Sequence, residues 1–469
     1  MRNQPLRICD INNFFSATGG GVRRYHLEKL RVLSQDRDIE YHIVVPSDRE
    51  ETEIYGGAHI HHVPAPEILG NGYRFMLNPV RLRRLLKRIN PDVIEVGSPY
   101  VLPDLVRIAS RGLNCQIVGF WHAHYPVAYL NRPVRKVNKL LARVGERIGW
   151  WWAKRTYGKF STTMAAARCL LPTLRESGFD QVAYTPLGVD LQQFSPTWRD
   201  EALRESWGVG PEDVVLGFPH RLCEEKNLGA VIAAYRTLRE STAHRPHLVF
   251  AGNGPGLAQV EALAGEYPEV HYLGYLSGRQ EVARLLASVD VVAALSPTET
   301  FGLSAAEAMA SGVALIGSDE LSVGEMLRHS RCGIGVPDRD SDAIAAAWIE
   351  LLKPGRARLL GARGRAYAKT HYNWTQTFER IVKVYRDVAQ TSTVATRTPP
   401  LAPVATSGIV QGWGASITQL LDDTTEESMP DSTSVTSAYD SKKSTAAQRF
   451  AVNRATVKVR KTGEVPRTA

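Results

Sequence analysis

Short apolar runs alternate with stretches of helical periodicity along most of this chain, and the alternation runs through twice. The first set is Leu6-Arg7-Ile8-Cys9-Asp10-Ile11, Tyr41 to Pro46, Asp92 to Val96 and Gln116 to Phe120, with Ser161 to Met164 and Val182 to Pro186 as two further short strands. A Gly run and a helical stretch from Val22 to Leu33 follow the first strand. The pattern restarts after Pro196 with Val214 to Phe218, His247 to Ala251, Val270 to Leu273, Val289 to Ala293 and Val313 to Ile316. Apolar strands separated by helices call for a parallel sheet covered on both faces. The fold class expected is therefore α/β, with two Rossmann-like doubly wound parallel-sheet domains facing across a cleft. The Pro/Gly turn Pro186-Leu187-Gly188-Val189-Asp190 is the natural junction. The expected parts are 1–188, 189–370, a crossover helix over 371–389 and a disordered Ser/Thr-rich tail over 390–469. In open α/β sheets ligands sit beyond the carboxyl ends of the strands, so the chemistry is expected in the cleft.

Composition removes several other classes. The chain has 469 residues, 43% apolar and 22% charged, with 38 Gly and 26 Pro, values of an ordinary globular protein. No apolar stretch approaches the roughly 18 residues that span a bilayer, and no secretory signal precedes the first strand, which predicts a cytoplasmic protein. Five cysteines (Cys9, Cys115, Cys169, Cys223, Cys332) without a Cys-x-x-Cys pair suggest neither a zinc site nor a disulfide framework. The formal charge of +9 invites anionic partners without choosing among them.

The segment Pro297 to Gly312 is the most informative. A strand leads into a Gly-bearing loop with Glu299 at its mouth, and a short Ala-rich helix carries Glu307. The backbone N–H groups of Phe301, Gly302 and Leu303 point to the same space, where a helix N-terminus favours anions and hydroxyl oxygens. Ser304-Ala305-Ala306-Glu307 also reads as a capping box, with Glu307 returning to the Ser304 amide. Arg221 and Lys226 lie just past the first strand of the second set, where two cations suit a diphosphate; pairing with Glu224 or Glu225 is the plainer alternative.

These residues together resemble the retaining glycosyltransferases of the GT4 type (group 1), which have the two-domain GT-B architecture. The likeness rests on Glu299 to Glu307 with Phe301-Gly302-Leu303 between them, on Arg221 and Lys226 at their spacing, and on the Pro186 to Asp190 junction. It implies that Glu307 bonds the nucleotide ribose, that Glu299 and the Phe301 to Leu303 amides hold the donor sugar, and that Arg221 and Lys226 neutralise the diphosphate. It places Gly19-Gly20-Gly21 beside the diphosphate and acceptor, and His122 near the donor sugar, with His124 as its rival. Gly252-Asn253-Gly254-Pro255-Gly256 has the wrong spacing for a dinucleotide fingerprint and reads as a tight turn near the nucleotide. Asp338-Arg339-Asp340 is formally Asp-x-Asp but reads as a surface turn. With side-chain cations at the leaving group, no metal or other cofactor is expected. His220 and Val313-Ala314 depart from the family pattern in the nucleotide pocket.

The expected reaction moves a hexose from a nucleotide sugar to an acceptor hydroxyl. Mannose from GDP-mannose is the first choice and UDP-glucose or a related UDP-sugar the next; the acceptor expected is a lipid-linked or cell-envelope glycan. A catalytically silent GT-B subunit and a nucleotide-sugar 2-epimerase are the alternatives. The stretch 131–152 reads as an amphipathic basic helix capped by Asn131. Arg132, Arg135, Lys136, Lys139, Arg143 and Arg147 fall on one face, with Val134, Val137, Leu141, Val144, Ile148 and Trp152 opposite. With Trp150-Trp151-Trp152 and the basic run Arg81 to Arg88, it suggests an anionic membrane surface as a partner. No nucleic-acid recognition motif accompanies these faces. In the tail, Trp413 and Ile417 to Leu421 are the one stretch that could dock.

Overall fold

The computed structural model describes residues 4–15, 20–68, 73–135, 138–210, 213–241 and 246–391, all within one compact unit. Gly19, Lys136, Val137, Trp413 and Ile417 to Leu421 lie outside the described residues.

In the first half the strands are β1 (Leu6–Ile11), β2 (Ile39–Ser47), β3 (Glu51–Tyr55), β4 (Ala58–Pro64), β5 (Val93–Val96), β6 (Gln116–Phe120), β7 (Thr162–Ala165) and β8 (Val182–Tyr184). Its helices are α1 (Gly21–Leu33), α2 (Pro79–Ile89), α3 (Leu102–Ala109), α4 (Arg132–Arg135), α5 (Lys139–Tyr157) and α6 (Leu170–Glu176). The strands form one eight-stranded sheet in the order β3-β4-β2-β1-β5-β6-β7-β8, parallel except for the β3–β4 edge pair. β1 and β5 are buried along their whole length, as strands covered on both faces must be.

The second half opens with α7 (Glu201–Ser206) and carries β9 (Val215–Pro219), α8 (Leu228–Ser241), β10 (His247–Ala251), α9 (Leu257–Glu266), β11 (Val270–Tyr272), α10 (Arg279–Ser288) and β12 (Val291–Ala294). It continues with α11 (Leu303–Ala310), β13 (Ala314–Ser318), α12 (Leu321–Ser330), β14 (Gly333–Val336), α13 (Ser341–Leu352) and α14 (Arg356–His371). Its six strands are all parallel, in the order β11-β10-β9-β12-β13-β14. The winding reverses between β1 and β5 in one sheet and between β9 and β12 in the other, and crevices open at such points.

The last described helix, α15 (Trp374–Gln390), returns to the first half. Its buried residues Trp374, Phe378, Ile381, Tyr385 and Val388 recur at helical spacing as one stripe. The two crossings between halves touch each other: Val189 N donates to Tyr372 O at 3.0 Å, and Thr377 Oγ1 donates to Pro186 O at 2.9 Å. Gly188 is required there, since a β-carbon on it would lie 2.5 Å from Trp374 N.

Under α15 lies a fully buried set of charges. Lys29 Nζ on α1 is 2.7 Å from Asp10 Oδ2 and 3.1 Å from Glu95 Oε2, and Tyr41 donates to Asp10 at 3.1 Å. Pairing of this kind is what lets ionised groups stay in a protein interior.

Two expectations need correction. The β3–β4 hairpin and β14 were not among the expected strands; β3 alternates half-buried and exposed positions at the sheet edge and lacks an apolar run. The basic helix is not continuous from Asn131. Asn131 turns its side-chain amide to Glu146 at 2.5 Å, and residues 126–131 form a π-helical turn. Asn138 is the cap instead, its side-chain oxygen accepting from the amides of Leu140 and Leu141 at 2.8 and 3.1 Å. α5 buries its small residues Ala142, Gly149 and Ala153, and leaves Leu140, Leu141, Val144, Ile148 and Trp151 exposed. Trp152, expected on the apolar face, is half-buried and its indole N–H points to Tyr100 O at 3.4 Å. Among the described residues no helix is long and apolar enough to cross a membrane.

Candidate active site

On the second half, the chain leaving β12 turns at Gly302, whose φ of +83° is in the left-handed region and makes it the N-cap of α11. Ser304 therefore lies inside the helix, so the capping-box reading does not apply, and no side-chain cap bond forms. Phe301 is buried, its ring edge-on to Tyr372 at 5.2 Å, which anchors the loop. The first N–H groups of α11, from Leu303 onward, have no intrahelical acceptor and face the crevice.

Lys226 ends a 3₁₀ turn, and Asn227 behind it takes a left-handed conformation. The Asn227 side chain donates to Leu295 O at 2.8 Å and Asp338 Oδ1 at 2.9 Å, which tacks this turn to the end of β12. Asp340 caps α13, so the two carboxylates of Asp338-Arg339-Asp340 already have structural work. Lys226 Nζ bonds Glu299 Oε1 rather than Glu224 or Glu225. Burial opposes the lysine's charge, but Glu299 outweighs it and its pKa is raised. Arg221 is exposed, and among the described residues no carboxylate pairs with it. Its loop rests on the Gly252 to Gly256 turn: Leu222 N donates to Asn253 O at 3.0 Å, and at Gly252 (φ +134°) a β-carbon would collide with His220 O. His220 Nε2 donates to Ala293 O at 2.7 Å, and burial pushes its pKa down to about 4, so it is a neutral wall of the site. A small depression between these elements is lined by His220, Lys226, Ser296, Glu299, Gly302 and Ser304.

Glu307 is half-buried, and its carboxyl is pushed up to about 7 by burial, against the pull of Arg24. Arg24 belongs to α1 in the first half; it lies 2.6 Å from Glu28 and 3.8 Å from Asp190, which Arg279 approaches at 3.2 Å. The two halves are in contact here. α1 starts at Gly21, preceded by Gly20, and a β-carbon on Gly21 would be 3.9 Å from Leu303 Cδ2. The N-termini of α1 and α11 thus face each other, and both favour an anion.

His122 follows β6, its ring stacked on Phe120 at 4.2 Å and edge-on to Tyr25 at 4.9 Å. Burial holds its pKa well below the usual histidine value, so the imidazole is neutral. Its rival His124 is a core residue, packed between Trp121 and Trp150 and pushed down to about 4 by burial. The sequence did not point to the groups around His122. Asn12 Oδ1 accepts from Phe14 N at 2.8 Å and Ser98 Oγ at 2.5 Å, so its nitrogen faces His26 Nε2 at 2.9 Å. His26 is then the tautomer with its proton on Nδ1, 3.2 Å from Asp10. Gly97 makes room, since a side chain there would collide with Asn12 and crowd His122 Nε2 at 3.2 Å. Asn12 and Gly97 follow β1 and β5 directly, and that position at the switch point was the available signal. Thr300, also unforeseen, donates from Oγ1 to His122 O at 2.7 Å across the two halves.

Comparison with known proteins places this geometry. Residues 199–366 match the model for glycosyl transferases group 1, and residues 19–193 that for glycosyltransferase family 4. A GDP-mannose-dependent alpha-(1-6)-phosphatidylinositol dimannoside mannosyltransferase of Mycobacterium tuberculosis is 30% identical over 374 residues, 77% of this chain and 92% of that protein. A GDP-mannose-dependent alpha-mannosyltransferase of Corynebacterium glutamicum is 27% identical over 67% of this chain and 72% of its own length. Among solved structures, sucrose-phosphate synthase from Thermosynechococcus elongatus superposes with a TM-score of 0.66 at 17% identity, covering 82% of this chain and 100% of that one. HepE from Anabaena, in complex with UDP and glucose, gives 0.59 at 17% identity, covering 81% and 99%. These likenesses favour neither a silent subunit nor an epimerase. Two parallel sheets with opposed crevices, and matches that run through both halves, have one common meaning: the chain belongs to the group 1, family 4 glycosyltransferases of GT-B fold, and it is a hexosyltransferase that uses a nucleotide sugar.

Proposed function

We propose that the protein transfers mannose from GDP-mannose, with retention of configuration, to a lipid-linked acceptor presented at an anionic membrane surface. The observation that carries the reading is the Lys226–Glu299 pair, set beside the facing N-termini of α1 and α11 and closed from the other half by His122. A diphosphate entering this space meets Arg221, the α11 amides and Lys226. Lys226 then shares its charge between the phosphate and Glu299, which is left to accept from sugar hydroxyls. The ionised Glu307 accepts from the ribose.

In the reaction, the bond from the anomeric carbon to the diphosphate oxygen breaks and its electron pair stays on that oxygen. Arg221, Lys226 and the helix N-terminus stabilise that charge while the sugar passes through an oxocarbenium-like state. The acceptor oxygen bonds the same face, and its proton passes to the departing diphosphate. Neutral His122 orients a sugar hydroxyl. The side-chain cations supply the charge a metal would bring, so activity should survive a chelator.

Mannose is favoured because the mycobacterial and corynebacterial relatives are named for GDP-mannose. A lipid-linked acceptor fits the first of those names and the exposed row Leu140, Leu141, Val144, Ile148 and Trp151, which runs beside Lys139, Arg143 and Arg147. Apolar side chains flanked by basic ones suit an anionic bilayer face.

The test is a donor screen with radiolabelled GDP-mannose, UDP-glucose, UDP-galactose and UDP-N-acetylglucosamine, with and without a membrane extract, in buffer containing EDTA, with Glu299→Ala as control. Label entering the lipid fraction from GDP-mannose, and lost in the mutant, supports the whole reading. Transfer from a UDP-sugar overturns the donor, a soluble product overturns the lipid acceptor, and abolition by EDTA overturns the metal-free step.

A further inference from the structure

The loop that carries Glu299 is fastened at several points, and one of them lies in the other half of the protein. Ser322 Oγ, in the first turn of α12, donates to Glu299 O at 2.7 Å. Further along α12, the buried Glu325 accepts from the amides of Arg168 and Cys169 at 3.1 and 2.6 Å, just ahead of α6 in the first half. The other end of the loop is Gly302, where a left-handed φ of +83° strains any other residue and a β-carbon would press on Val323 at 3.1 Å. Between these supports stands Thr300, half-buried, with its hydroxyl on the carbonyl of His122 at 2.7 Å.

We propose that Thr300 is a positioning residue that fastens the Glu299 loop to His122, so that the closed cleft recognises the glycosyl part of the donor and not the nucleotide alone. This rests on the reading that Glu299 and His122 hold the donor sugar. Those two groups come from different halves, and their separation is the width of the sugar site. The Thr300 hydrogen bond is made between the residue next to Glu299 and the backbone of His122 itself, so it sets that width directly. The nucleotide, by contrast, is held mainly by Arg221, Lys226, Glu307 and the α11 amides on the second half, with only the α1 N-terminus facing its diphosphate from the first, and so depends less on the bond. Loss of a hydrogen bond of this kind changes an affinity about two- to tenfold.

The experiment uses the full chain with Thr300→Val, which keeps the shape and removes the donor, and Thr300→Ser, which restores the hydroxyl. GDP-mannose is the donor probe and GDP the nucleotide probe. In Thr300→Val we expect KM for GDP-mannose to rise about two- to tenfold while the inhibition constant of GDP changes far less, and Thr300→Ser to return KM toward wild type. Equal weakening of GDP and GDP-mannose, or a fall in thermal midpoint that accounts for the loss, would overturn the proposal in favour of a purely structural contact. Wild-type kinetics in Thr300→Val together with an inactive Glu299→Ala would sink the fastening role and leave the site reading intact. An active Glu299→Ala would sink the site reading itself.

Discussion

Tyr385, near the end of α15, donates its phenolic hydrogen to Glu95 on β5, 290 positions earlier in the chain. The second oxygen of Glu95 accepts from Tyr25 at 2.9 Å, and the ring of Tyr25 is the one that meets His122 edge-on. Burial pushes the Glu95 carboxyl up against the opposing pull of Lys29, so each hydroxyl that reaches it helps to keep it ionised. Tyr385→Phe should cost about 1.5–3 kcal/mol, the range for a hydrogen bond to a charged group. Glu95→Ala, which leaves the buried hydroxyls of Tyr25 and Tyr385 without their acceptor, should cost about 1–3 kcal/mol for each. Urea unfolding of the two variants measures both, and a stability for Tyr385→Phe equal to wild type would show that the bond is not formed in solution.

The pairing of Lys226 with Glu299 predicts a strong coupling between them. Lys226→Met and Glu299→Gln should each lower kcat by about 10²–10³, because each removes charge placed where charge develops. Combined, they should cost far less than the product of the two, since either change alone already disables the pair. A double-mutant cycle on kcat reads this, and strict additivity would mean that the two act separately.

Glu307 makes nucleotide binding and stability depend on pH in opposite senses. With its carboxyl pushed up to about 7, it is protonated below that pH and accepts poorly from ribose hydroxyls, so the donor KM should rise as the pH falls from 8 to 6. For folding, a carboxyl raised above its unfolded value contributes stability that is full below about 4.5 and is lost as pH rises through about 7. Glu307→Gln should therefore flatten the KM profile and raise the thermal midpoint at pH 8 more than at pH 5. A midpoint gain that is the same at both pH values would contradict the shift.

Gly188→Ala tests the double crossing between the halves. The added methyl must push Trp374 away, and overpacking of this kind costs about 1–3 kcal/mol. Differential scanning calorimetry should show a lower midpoint, and Thr377→Val, which removes the bond to Pro186 O at the same place, should add little to it.

The long buried strands were legible because being covered on both faces leaves an apolar run that no neighbouring residue disguises; β1, β6 and β10 coincide with the expected segments. β3 and β4 were not, because an edge hairpin reading Glu51-Thr52-Glu53-Ile54-Tyr55 and His59-Ile60-His61-His62 is polar where it meets water. Local rules also misjudged competition for a side chain. Asn131 has the chemistry of a cap, but Glu146 takes its amide, and Ser304 has the chemistry of a capping box, but Gly302 turns the chain first. In the site, Glu299, Lys226 and His122 stand in motifs with local spacing, whereas Thr300, Arg24 and Asn12 owe their positions to partners that are distant in the chain. No pattern along the sequence carries that information.

The buried charges of the first sheet have a consequence for how the protein is made. During synthesis, β1 to β8 leave the ribosome long before residue 385, and in that interval Glu95 has no Tyr385 and the face awaiting Phe378, Ile381 and Val388 is bare. The first half is thus the last to be finished, and it holds an open apolar groove beside a carboxylate that lacks one of its hydrogen-bond donors until α15 arrives. Translation that stops after the second half but before α15 would release two whole sheets, one of them with a face still uncovered.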